Sequence, residues 1–132
     1  MGTRIMVSYA LTGTFDPDAV TRFSGISPTK IWRYGDPISN TALTRKHDGW
    51  ILSTAEKASH DLNERVQEML SQLHHHADKL RDICRTLELD AEIACVVYVD
   101  EEQVPALHLD REIIRQVADL DAEVDIDLYQ LQ

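Results

Sequence analysis

Apolar and polar residues along this chain follow first a period of two, then periods of three and four. Ile5, Val7, Tyr9 and Leu11 alternate with Arg4, Met6, Ser8 and Ala10, the pattern of a strand with one face in a core. Gly13-Thr14 ends that strand. Asp16-Pro17-Asp18 opens a short helix, with Asp16 as its cap and Pro17 in the first helical position, and Gly25 stands where the helix must stop. Strands are expected at residues 29–33 and, after a tight turn at Asp48-Gly49, at residues 50–53. Leu62, Val66, Met69, Leu70, Leu73, Ala77, Leu80, Ile83, Cys84 and Leu87 then recur at helical spacing, which predicts one helix over residues 59–87. Residues 91–99 read as a strand, Asp100-Glu101-Glu102 as a charged turn, and residues 104–109 as a returning strand around Pro105. Asp110 caps a last helix carrying Ile113, Ile114, Val117 and Leu120, and residues 122–128 close the chain as a strand. The order of elements predicts an α+β fold in a single domain, residues 1–132. It would be a mixed or antiparallel sheet of about five to six strands, with one long central helix and two shorter helices packed on one face.

Charge changes this picture more than composition does. The net charge is -10, and it is divided unevenly. Residues 1–55 hold six basic and four acidic side chains, a balance of +2, whereas residues 56–132 hold seven basic and nineteen acidic ones, a balance of -12. So acidic a chain argues against a nucleic-acid partner, because phosphate binding needs clustered Lys and Arg. There is no apolar stretch of membrane-spanning length, so no membrane partner is expected, and Met1-Gly2-Thr3-Arg4-Ile5 lacks the long apolar run of a cleavable signal, so none is expected. Cys84 and Cys95 each lie in apolar surroundings and read as two buried thiols in a reducing compartment.

The search for chemistry yields little. His74-His75-His76 cannot converge on one metal, because neighbours on a helix point about 100° apart. No metal or cofactor is expected. No serine sits in a nucleophile elbow, no glycine-rich phosphate loop occurs, and no residue is assigned a catalytic role. Two clusters remain. Asp121, Glu123, Asp125 and Asp127 alternate with Ala122, Val124, Ile126 and Leu128, which places four carboxylates and Tyr129 on one face of a strand. That row is either a solvated face that blocks edge aggregation or a recognition stripe for a positively charged protein. Trp32, Arg33, Asp36 and Trp50 would line a small-molecule pocket, or else fill the core beneath a loop closed by Gly35 and an Asx turn.

The blocks Ser27-Pro28-Thr29 to Trp32-Arg33 and Gly35-Asp36, then Asp48-Gly49-Trp50, then Asp125-Ile126-Asp127-Leu128-Tyr129, resemble a bacterial family catalogued as domain of unknown function 4279. The resemblance runs from Ser8 to Tyr129, anchored on Pro28, Thr29, Trp32, Gly35, Asp36, Gly49 and Trp50. It implies a compact, cytoplasmic bacterial protein and carries no activity. The function expected from the residues is therefore a non-enzymatic protein-binding domain, such as an immunity protein neutralising a basic toxin. The alternative is a small-molecule-binding domain or enzyme using the Trp32/Arg33/Asp36/Trp50 region, and a self-associating homodimer is a third reading.

Overall fold

The structure, a computed structural model, describes residues 2–131. Met1, where the amino-terminal reading began, and Gln132, the last residue of the expected domain, lie outside the described residues. β1 (Arg4–Gly13) is the central strand of a mixed six-stranded sheet. Its alternation does what the pattern predicts: Ile5, Val7, Tyr9 and Leu11 are fully buried on one face. On one side β1 pairs antiparallel with β3 (Asp48–Ser53), which pairs in turn with β2 (Lys30–Trp32) at the sheet's edge. On the other side it pairs antiparallel with β5 (Asp90–Val99), and β5 pairs in parallel with β6 (Ala122–Gln130), the opposite edge.

β4 (Lys57–Ala58) continues the line of β3 along β1 after a short break. Side chains bridge that break. Thr54 Oγ1 accepts from the Val7 amide at 3.2 Å, and the guanidinium of Arg65 donates to Thr54 Oγ1 at 3.2 Å and to the Ala55 carbonyl at 2.6 Å. Arg65 is buried and also pairs with Glu68, so its charge is compensated where water is scarce.

The helices cover one face. α1 (Pro17–Ser24) starts at Asp16, whose carboxylate accepts from the Asp18 amide, and stops at Gly25 in the left-handed region with φ 78°. The long central element is a 26-residue rod made of α2 (Leu62–Leu73), a 3-10 turn at His74–His76, and α3 (Ala77–Leu87). It begins three residues later than the apolar spacing alone predicts, because Asp61 caps it by accepting from the Glu64 amide at 3.0 Å. The turn in its middle lets the two halves meet different partners: α2 lies on β1 and beside α4 (Arg111–Asp119), and α3 lies beside α1. His76 Nδ1 is 2.9 Å from the Ser24 carbonyl and ties the turn to the end of α1. α4 (Arg111–Asp119) is capped by Asp110, which accepts from the Ile113 amide at 2.9 Å.

Two local expectations are corrected. Residues 104–109 form no strand and make a single bridge, Ala106 with Asp61. β6 runs parallel to β5, so this segment and α4 must carry the chain back to the start of β5, and Pro105 lacks the amide that a hairpin partner needs. Asp48-Gly49 opens β3 and is not a turn. Ile114 is 55% exposed, because α4 buries only the side that carries Ile113 and Val117.

Candidate functional site

The other face of the sheet carries no helix. In the parallel register of β5 and β6, Glu92 stands beside Glu123, Ala94 beside Asp125, Val96 beside Asp127 and Tyr98 beside Tyr129. These eight side chains share the uncovered face, since the residues between them on β5 are buried in the core. Glu123, Asp125 and Asp127 are exposed, and among the described residues no Lys, Arg or His forms an ion pair with any of them. Tyr129 stacks on Tyr98 with centroids 5.7 Å apart, and the Arg4 guanidinium lies 5.7 Å from the Tyr98 ring. Arg4 itself pairs with Glu56 at 2.8 Å and forms no ion pair with Glu123, Asp125 or Asp127.

Glu92 registers the consequence of that crowding. Its carboxyl is raised above the ordinary range, first by burial and then by the negative charges of Asp125, Glu123 and Asp127. Sequence reasoning missed Glu92 and Tyr98 as members of this surface. They lie thirty-one residues before their partners Glu123 and Tyr129, and only the parallel register of β5 brings them to the row.

Asp121 leaves the row. It sits in the left-handed region with φ 54°, in the turn between α4 and β6, and its carboxylate accepts from Arg85 Nε at 2.6 Å. That guanidinium holds the Asp121 carboxyl below the usual carboxylate range. The alternation that placed Asp121 on the strand runs one residue beyond the strand's true start.

The second cluster is not gathered into one cavity. Trp50 is fully buried on the helix-covered face, where its Nε1 donates to Thr21 Oγ1 at 3.1 Å and its ring meets Tyr9 edge-on. Trp32 lies on the opposite face, because it is paired with Gly49 while Trp50 is paired with Ile31. A Cβ at Gly49 would overlap the Trp32 indole, so the ring lies flat across the glycine, with Arg45 4.3 Å above it. Arg33 bonds to Asp16 at 3.1 Å and Asp18 at 3.0 Å, and Asp36 accepts from the Arg33 amide at 2.8 Å. Each charged member is held by the corner it builds.

Elsewhere, Cys84 and Cys95 are free and buried, and burial pushes the Cys95 thiol up to about 12. Among the described residues no three His, Cys, Asp or Glu side chains gather as metal ligands. No described helix is long and apolar enough to cross a membrane. Ala19, Phe23, Ile83 and Leu87 line an apolar groove of about 500 Å3 between α1 and α3, rimmed by Arg22, Asp82 and Thr86.

The family described as Domain of unknown function (DUF4279) matches residues 3–131, nearly the whole chain. The chain belongs to this family. No curated protein and no solved structure matches it. In this DUF4279 chain several residues of the first two sequence blocks bond to the chain's own backbone. The Thr29 amide donates to the Ile51 carbonyl at 2.8 Å, and Thr29 Oγ1 accepts from the Ser53 amide at 2.9 Å. Gly35 adopts φ 87° and donates to the Arg45 carbonyl at 2.9 Å, while Asp48 accepts from the Phe15 and Tyr34 amides, each at 2.9 Å. Those two amides hold the Asp48 carboxyl below its usual range. The DIDLY block differs in kind: its two aspartates and its tyrosine stand on the uncovered face of β6.

Proposed function

We propose that this DUF4279 protein is a non-enzymatic binding domain for a basic protein, and that it engages its partner with Glu92, Glu123, Asp125, Asp127 and Tyr129. The observation that carries this reading is the row of exposed carboxylates on β6 with no cation of the described chain paired to them. Their mutual repulsion is relieved only by solvent or by positive charge from another molecule. Opposite potential speeds encounter and selects the partner, which suits a domain that must find one target quickly. An immunity protein that occupies a basic toxin is the concrete form. The stacked Tyr98–Tyr129 pair at the end of the row offers a rigid aromatic anchor.

The test begins with affinity capture from the organism carrying the gene, at low and at high salt, followed by binding kinetics of the recovered basic protein. Asp125→Asn with Asp127→Asn should slow association, and the difference should shrink as salt rises, because exposed charges are screened beyond about 8–10 Å at physiological ionic strength and beyond shorter distances at higher salt. Recovery of no basic protein under either condition, or association unchanged in the double variant, would overturn the reading.

A further inference from the structure

The acidic row ends in a free strand edge. β6 is paired along nine residues to β5, Ala91 with Ala122 through Val99 with Gln130, and among the described residues no strand lies on its outer side. Half of its backbone amides and carbonyls therefore point outward without a ladder partner. The two faces beside this edge differ. Glu123, Asp125 and Asp127 flank it on the uncovered face, and Val124, Ile126 and Leu128 flank it on the helix side. Helix α4 covers that second side only in part, leaving Val124 38% and Leu128 54% exposed. At the end of β6, Leu128 and the base of Tyr129 border an open hollow of about 490 Å3 that Val99 and Val104 also line, with Glu101 and Gln130 at its margin.

A second copy is a poor occupant. Two β6 edges laid side by side would bring two carboxylate rows together at the spacing of cross-strand pairs, where like charges destabilise the pairing. The edge instead calls for a strand with positive side chains at every second position and apolar ones between. The cations would lie over Glu123, Asp125 and Asp127, and the apolar residues over Val124, Leu128 and the hollow at the strand's end. We infer that β6 takes an extended segment of its partner as an added strand, one in which Lys or Arg alternates with apolar residues. Main-chain hydrogen bonds would supply affinity and the alternation would supply specificity. The inference rests on the binding reading above and gives it a mode.

The experiment uses two synthetic peptides of one composition, an alternating Lys-Val repeat and a block peptide of consecutive Lys followed by consecutive Val. Binding is measured by titration, and amide hydrogen exchange of β6 is followed with and without peptide. The alternating peptide should bind tighter than the block peptide by about tenfold or more. It should also protect those β6 amides that do not bond to β5. Leu128→Ser, which removes an apolar contact without adding charge, should weaken the alternating peptide while leaving the block peptide unaffected. Equal affinity for both peptides, with no protection of β6, would overturn strand addition while leaving the recognition of basic proteins standing. No binding of either peptide would count against both. A dimer that protects the same amides without peptide would overturn the proposed occupant.

Discussion

At the β2–β3 corner every aspartate is used inside the chain, whereas along β6 three carboxylates in succession are not. Asp16 and Asp18 hold Arg33, Asp36 closes the turn onto the Arg33 amide, and Asp48 joins the approach to α1 to the residues after β2. Glu123, Asp125 and Asp127 make no such bond, and their charges add to burial, the larger cause, in raising the carboxyl of their neighbour Glu92. The local sequence accounts for the difference. Around the corner the chain turns at Gly25, Gly35 and Pro37, and turning backbone leaves amides that a short carboxylate can satisfy. Within β6 the inner backbone groups are already paired to β5, so the outward side chains have nothing in the chain to bind. The same residue type is scaffold where turning backbone brings amides within reach of a short side chain, and surface on a strand, whose amides lie in the plane of the sheet and away from its side chains.

The sharpest way to break this contrast is to remove one apolar residue from each end of the sheet. Trp50→Ala should cost about 3–5 kcal/mol in a denaturant melt, because a fully buried indole leaves a cavity beneath β3. Leu128→Ala, at the exposed edge, should cost less than about 1 kcal/mol. Comparable losses at both ends would mean that β6 is as much scaffold as the corner is.

The carboxylates give the next test. Asp48→Asn should destabilise by about 1–3 kcal/mol at neutral pH, since it weakens two charge-assisted bonds to backbone amides. Because the folded carboxyl lies below its ordinary value near 4, the stability that Asp48 supplies is fully present above that value. It is lost as pH falls through the folded pKa, so the wild type and the variant should converge on acidification. A gap between them that persists at low pH would show that Asp48 acts through packing and not through charge.

Glu92 carries the opposite sign. Its folded pKa is raised, so ionising it is unfavourable once the pH exceeds that pKa and has no cost below its unfolded value. Glu92→Gln should therefore stabilise by about 0.5 kcal/mol at neutral pH, and less as salt increases or pH falls. A loss of stability in the same melts would reveal a cation at Glu92 and remove the repulsion argument. Smallest of all, Asp125→Asn with Asp127→Asn should leave the melting curve within about 0.5 kcal/mol of wild type, on the stabilised side. A clear loss would return these two residues to the scaffold.

The alternation in β1, the caps at Asp16 and Asp110 and the stop at Gly25 are legible because each is decided within a few residues by backbone hydrogen bonding and by which side of the element is apolar. The α+β class follows from the order of those elements. What sequence reasoning could not see is decided between elements distant in the chain. It could not separate Trp32 from Trp50, because placing neighbouring positions of β2 and β3 on opposite faces takes a register. Asp121 was lost from the acidic row to Arg85 of α3, thirty-six residues away, and Glu92 was added to it by β5. The parallel pairing of β5 and β6 abolished the expected strand at residues 104–109, since one free edge of β5 can accept only one neighbour. Periodicity determines which side of an element is apolar, whereas only tertiary pairing determines which charges meet.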